Sequence, residues 1–329
     1  MFYVLILSLI LSGCFNPQPK SAGVSSPEAV SSQTSSAYGQ VVIQNGDRTI
    51  TFTKMPERVI TCNMAATENM LLLGLGDKLV GRNERTNPAE IPLPEIETAF
   101  YAIPEIVRTH ELAIANEAEL MIGQISSFRD NAWGTPELFE SKGVNCYVIS
   151  GTIAEDETIE NVYDDIEALG RIFKVEDRAE ALINRAKAVV NAVETKTAAL
   201  GEGDKLKAFV LDTFKGNEIY TTSKGLESNL IELAGGINVT RNHSSARWFN
   251  TSIETLVDTN PDVIIINDYG TQTLEEKLAF IRNNPALQDI AAVKNERYII
   301  VPLVEVMQDI RAAATCEFFA RNFYPNLFN

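Results

Sequence analysis

Apolar and polar positions change rhythm along the chain, and each change marks an element. Val41 to Phe52 alternates the two kinds of residue around Asn45-Gly46, the pattern of a β-hairpin with one buried face. Short apolar runs at Arg58–Thr61, Lys78–Arg82, Leu120–Ile125 and Cys146–Ile149 read as strands. Between them lie helical segments: Ala65–Leu75 closed by Gly76, Glu111–Asn116, and Pro136–Lys142 closed by Gly143. Two long amphipathic helices follow, Thr158–Lys174 and Asp177–Leu200, the second free of Gly and Pro. From Ala208–Leu211 the alternation of strand and helix resumes to the end. Such alternation predicts an α/β protein with mostly parallel sheets covered by helices.

The chain also echoes itself. Thr109-x-Glu111 precedes Glu119-Leu120-Met121-Ile122 at the spacing by which Ser252-x-Glu254 precedes Asp262-Val263-Ile264-Ile265. Glu68 to Gly76 likewise echoes Glu227 to Gly235. Two α/β lobes of related design, separated by the long helix, account for both matches. The boundaries expected are an N-terminal lobe over 39–175, an interdomain helix over 176–200 and a C-terminal lobe over 201–329.

Length and composition agree with two lobes. At roughly 150 residues per domain, 329 residues make two domains. The 45% hydrophobic and 22% charged content is that of a globular chain able to bury its own core. A formal charge of -16 argues against nucleic acid and anionic lipid as direct partners. Two histidines, His110 and His243, are too few for a His-rich metal site.

The N-terminus carries an address. Met1 to Leu11 is uncharged and almost wholly apolar, too short to span a membrane but suited to a signal-peptide core over 1–13. Leu11-Ser12-Gly13-Cys14 resembles the lipobox of bacterial lipoproteins, in which the cysteine is acylated, and no Lys or Arg precedes it. Residues 14–38, rich in Ser, Pro, Ala and Gln, read as a flexible tether. Cys62 and Cys146 sit in or beside apolar runs and read as buried thiols.

Signatures of enzymes fail one after another. Gly74-Leu75-Gly76 with Gly81 misses the dinucleotide spacing and closes a helix instead of opening one. His110-Glu111 begins an HExxH-like string, but position 114 is isoleucine. Neither a GxSxG elbow nor a P-loop is present. The expectation is a binding protein, not an enzyme, with no cofactor of its own.

Pro56-Glu57-Arg58-Val59-Ile60, Thr67-Glu68 with Leu73-Gly74, Ala234-Gly235-Gly236-Ile237-Asn238 and Asn260-Pro261-Asp262-Val263-Ile264 stand in an order and spacing with a precedent. From Val41 to Phe328 the chain resembles the substrate-binding proteins of ABC importers for iron–siderophore complexes, haem and vitamin B12. The resemblance implies two α/β lobes joined by one long α-helix, with the ligand in the cleft between them. It also implies an extracytoplasmic, lipid-anchored monomer partnered by a permease dimer and its ATPase, with a metal chelate as cargo. In that family two exposed glutamates meet permease arginines, and the matching positions are Glu111 and Glu254. Helix capping is the competing account of both: Thr251-x-x-Glu254 forms a capping box, and Glu111 lies in a first turn.

Ligand is expected at the loops that follow the strands. The candidates there are Arg82, Arg85, Tyr101, Arg108, Phe128, Arg129 and Trp133 in the first lobe. In the second they are Tyr220, Arg241, His243, Arg247, Trp248 and Arg311. So many guanidinium groups suit an anionic ferric siderophore, although each could equally pair with a surface acid, and Trp133 could be core. Haem fits less well, because the only tyrosine near the first docking glutamate is Tyr101. Cobalamin is the alternative: Trp248 and Tyr220 match aromatic positions of its binder, but Gln124 stands where another aromatic is expected. A sensory lipoprotein that binds without delivering also stays open.

Overall fold

The computed structural model describes residues 38–85 and 90–328. The signal-peptide segment, Cys14 and the tether up to residue 37 lie outside the described residues. Tyr38, assigned to the tether, is already docked: its hydroxyl donates to Ile172 O at 2.6 Å.

The hairpin forms as its alternation requires. In β1 (Val41–Asn45) and β2 (Arg48–Phe52), Val41, Ile43, Ile50 and Phe52 are buried against the N-terminal core. Asn45 pairs with Arg48, so the two-residue turn is Gly46-Asp47, one position later than the Asn-Gly expectation. Gly46 supplies the positive φ of +61°.

The N-terminal lobe is built on β3 (Val59–Thr61), β4 (Leu79–Asn83), β5 (Glu105–Ile106), β6 (Leu120–Gly123) and β7 (Asn145–Val148). They form a wholly parallel sheet in the order β5-β4-β3-β6-β7. Every residue of β3 and β6 is buried, because both faces of the sheet are covered. Its helices are α1 (Met64–Leu72), α2 (Glu97–Ala102), α3 (His110–Ala115) and α4 (Pro136–Glu140). Gly74, at φ +70°, turns the chain out of α1, so the helix stops before the expected Gly76.

The long helices α5 (Ile159–Phe173) and α6 (Glu176–Thr197) form a hairpin turned at Lys174. At 1.5 Å per residue α6 is about 33 Å long, enough to reach from one lobe to the other. Ala179 and Leu182 at its start pack in the N-terminal core, and Ala186, Val190 and Val193 in the C-terminal core. The expected joining helix is therefore present. α5 runs beside it in the opposite sense, from Ile159 and Val162 in the C-terminal core to Ile166, Leu169 and Ile172 in the N-terminal one. The helical pair belongs to both lobes.

The C-terminal lobe contains β8 (Lys207–Leu211), β9 (Thr213–Lys215), β10 (Glu218–Thr222), β11 (Ile237–Asn238), β12 (Trp248–Ser252), β13 (Val263–Asp268) and β14 (Tyr298–Pro302). The main sheet, β11-β8-β13-β14, is parallel, while β12-β10-β9 is an antiparallel ribbon that the alternation did not foretell. α7 (Leu226–Leu233), α8 (Ile253–Thr259), α9 (Leu274–Asn283), α10 (Ala291–Lys294) and α11 (Ala312–Phe323) complete it. The internal repeat is structural: α3 leads into β6 as α8 leads into β13. Glu117 and Asn260, at equivalent points after the helices, both take left-handed backbone. Among the described residues no helix is long and apolar enough to cross a membrane.

Candidate functional site

Parallel strands end where their carbonyl edges meet the following loops, and in this molecule both main sheets turn that edge toward one cleft of about 450 Å³. Gln124, Ile125 and Arg129 follow β6, and Thr152 follows β7. Asp212 follows β8, Tyr269 follows β13, and Leu303, Val306, Met307 and Gln308 follow β14. Tyr220 and Trp248 come from the antiparallel ribbon, which thus supplies one wall.

The aromatic wall is set by strand pairing. Trp248 faces Thr222 and Tyr220 faces Asn250, so the two rings are diagonal neighbours on one face. They stack with centroids 5.8 Å apart and planes 26° apart. Gly225 makes room for the indole: a Cβ there would stand 2.8 Å from Trp248 Nε1.

Carboxylates line the floor. Tyr269 donates to Asp212 Oδ2 at 2.6 Å, and Asn267 Nδ2 bridges Asp212 Oδ1 and Glu227 Oε2 at 3.1 and 3.0 Å. Burial pushes Asp212 up, against the pull of these two donors, and pushes fully buried Glu227 up to about 8. Glu157, also buried, accepts from Gln308 Nε2 at 2.6 Å and from the Leu226 amide at 3.2 Å. Burial pushes Glu157 up, while Gln308, the nearby Arg247 and the Leu226 amide pull against that rise; Arg247 Nη1 itself donates to Gly151 O at 2.6 Å.

Of the thirteen ligand candidates, Arg129, Tyr220, Arg247 and Trp248 line the cleft. The other nine lie elsewhere, and in most cases the reason is visible. Arg82 is buried, paired with Glu105 at 2.8 Å and stacked 4.3 Å from the Phe100 ring. Arg85 reaches Tyr101 Oη at 3.2 Å in an exposed corner of the first lobe. Arg108 and His243 are exposed outside the cleft lining. Phe128 and Trp133 are core, packed with Phe139 and Val148. Arg241 is held between Glu232 and Asp156, and Arg311 among Glu68, Glu305 and Asp309. Asp212, Tyr269, Glu157 and Gln308 were missed. The first two stand directly after strands, a signal the sequence offered. Gln308 offered none.

Glu111 and Glu254 occupy equivalent places. Each is the second residue of its helix, after Thr109-His110 and Ser252-Ile253, and each is exposed. The expected Thr251 capping box is not formed: Ser252 is the N-cap, and the Thr251 hydroxyl goes to Thr255 Oγ1 at 2.8 Å. The Ser252 hydroxyl and the backbone amide of Glu254 itself hold the Glu254 carboxyl below its usual range.

Two lobes, braced by a helical pair and open at their strand ends to one lined cleft, define a solute-binding protein. The chain belongs to the periplasmic binding protein family, whose model matches residues 130–303. It is 23% identical over 336 aligned positions to the ABC transporter substrate-binding lipoprotein YvrC of Bacillus subtilis, covering 99% of this chain and 96% of that one. A periplasmic binding protein from Veillonella parvula superposes with a TM-score of 0.77 at 26% identity, over 86% of this chain and 97% of the other. A protein of Saccharomonospora viridis described as an ABC-type Fe3+-hydroxamate transport system gives 0.73 at 24%, over 86% and 98%. The class is a transport component and not an enzyme.

Proposed function

We propose that the protein captures a metal chelate outside the cytoplasm and hands it to the permease and ATPase of an ABC importer, anchored by a lipid on Cys14. The observation that carries this reading is the make-up of the cleft. A stacked aromatic pair on one lobe shares the lining with an amide, Gln124, and an arginine, Arg129, from the other, within a volume usual for small-molecule sites.

The chelate that suits this lining best is a ferric siderophore of low net charge, of the hydroxamate type. A strongly anionic ligand would call for the arginine-rich cleft expected from the sequence. Arg129 and Arg247 instead share the lining with Asp212 and Glu157. Hydroxamate transport is also what the description of the Saccharomonospora protein states for that protein. A second reading has its own support: the near-parallel Tyr220 and Trp248 rings offer a flat platform for a corrinoid macrocycle.

Thermal denaturation in the presence of ferric hydroxamate, catecholate and citrate chelates and cyanocobalamin tests both. A ligand that binds only the folded state adds about 2.7 kcal/mol at a hundredfold excess over Kd. A shift with hydroxamates supports the first reading, and a shift with cyanocobalamin alone replaces it by the second. No shift with any of them removes the chelate assignment.

A further inference from the structure

One wall of the cleft carries three side chains whose polarity is fixed from one end. Glu157 is only 2% exposed, and although burial raises it, Gln308, Arg247 and the Leu226 amide all favour its charged form; once ionised, the carboxylate accepts hydrogen bonds without donating any. Its Oε1 takes Gln308 Nε2 at 2.6 Å, which commits the nitrogen of that amide. The carbonyl oxygen of Gln308 must then point the other way, where it accepts from Gln124 Nε2 at 2.6 Å. Reversing the two amides would set Gln308 Oε1 against the Glu157 carboxylate, acceptor against acceptor at hydrogen-bond distance. The orientation of the Gln124 amide is therefore fixed too, with its nitrogen turned to Gln308 and to Met307 Sδ at 3.9 Å. Its Oε1 takes no hydrogen bond among the described residues and is not among the buried, unpaired atoms. Gln124, Gln308 and Glu157 all line the cleft.

We infer that Glu157, acting through Gln308, presents Gln124 Oε1 to the cleft as a hydrogen-bond acceptor, and that the site selects chelates bearing an N–H or O–H donor on the face turned to that wall. Glu157 is a positioning residue in this scheme, and Gln124 the one that touches ligand. The inference rests on the chelate-capture reading and narrows it. A ligand with a carbonyl or ether oxygen at that point would leave two acceptors facing each other in a partly desolvated site.

The test compares two ferric trihydroxamates of matched size, one with secondary amides in its linkers and one with esters at the same places. Affinities are read at pH 8 by quenching of tryptophan fluorescence, to which Trp248 in the cleft and Trp133 in the core both contribute. The wild-type protein should prefer the amide chelate about tenfold, the effect of one hydrogen bond left unmade to a partly buried acceptor. Glu157→Gln frees the amide relay to reverse, and the preference should fall to about twofold or less. Gln124→Leu removes the acceptor and should do the same; it carries the test alone if Glu157→Gln does not fold. A purely structural role for Glu157 would weaken both chelates alike and keep the ratio. Equal wild-type affinity for the two chelates overturns the inference and leaves chelate capture standing. If only cyanocobalamin binds, the same ratio is read against a corrinoid whose side-chain amides are replaced by esters. Binding of none of these probes overturns the chelate reading and the inference with it.

Discussion

Arg311, at the start of α11, donates through Nε to Glu68 Oε2 at 2.9 Å, joining a segment of the C-terminal lobe to α1 across 243 positions of sequence. Glu68 and Arg311 are both almost wholly buried, and the Arg311 guanidinium also meets Glu305 at 2.8 Å. Beside them Asn69 Nδ2 donates to Gln308 O and Asn69 Oδ1 accepts from the Ile310 amide, each at 3.3 Å. These bonds form a brace between the lobes additional to the helical pair.

Breaking that brace leaves a charge stranded in the interior. Arg311→Met should cost about 3–5 kcal/mol of folding stability, because Glu68 loses its counterion without regaining water. Asp309 behaves differently. Burial raises it well above the usual range, with Glu68 adding to the rise and Arg311 opposing it. Asp309→Asn should therefore cost about 1 kcal/mol or less. Urea unfolding of the two variants gives the contrast, and equal losses would refute the assignment of charge within the cluster.

In the cleft, Trp248→Ala and Arg247→Ala should each erode the ligand-induced thermal shift while leaving the apo melting temperature within a few degrees. Arg108→Ala should leave the shift intact, since Arg108 is exposed outside the cleft. Sequence position alone treats Arg108 and Arg247 alike, so the pair separates the cleft in hand from a generic count of arginines. A loss of ligand shift in Arg108→Ala would place the ligand elsewhere.

Two buried acids give stability a sign against pH. Burial raises Asp165 to about 7, against the donors Tyr147 and Ser150, and Glu227 to about 8, against Asn267. Unfolded, both release their protons near pH 4, at the ordinary carboxyl values. Between roughly pH 4 and the raised values the folded state holds more protons than the unfolded chain. Stability there falls as pH rises, by about 1.4 kcal/mol per pH unit for each group still protonated. Melting temperature should therefore drop from pH 5.5 to pH 8, and Asp165→Asn should flatten part of that drop. A melting temperature that climbs over the same interval contradicts both protonation states.

Much of the fold was legible because its elements are marked locally. The hairpin alternates, the buried strands are short apolar runs, and α6 has neither Gly nor Pro. The cleft was less legible. Arg82, Arg241 and Arg311 stand where ligand-binding arginines were expected, yet each is consumed by a carboxylate that folding brings from far along the chain, as Glu68 is to Arg311. Pairing over such distances leaves no periodic trace. The polar chain Gln124–Gln308–Glu157 is assembled in the same way from three segments and is invisible until they meet.

The last prediction concerns Glu111 and Glu254, which the repeat pairs and the structure sets at equivalent exposed helix starts. If they dock against permease arginines, alanine at either leaves ligand affinity intact and impairs import. An interfacial charge pair that loses one partner costs about 2–5 kcal/mol, much of it the penalty on the arginine left behind. Capping cannot account for such a loss. The N-cap of α3 is Thr109, whose hydroxyl accepts from the Leu112 amide at 3.2 Å, and that of α8 is Ser252, whose side chain makes no cap bond. The glutamates meet the helix dipole as exposed first-turn acids, and Glu254 also takes the Ser252 hydroxyl and its own amide, local contacts that bear on folding stability and not on uptake. Aspartate at either position keeps the charge on a shorter arm and should give intermediate import. The decisive measurement is uptake of labelled ligand by the Glu111→Ala, Glu254→Ala double variant at wild-type surface levels. Strongly reduced uptake with unchanged ligand Kd is the expected result, and wild-type uptake there removes the docking assignment while leaving the cleft and its ligand untouched.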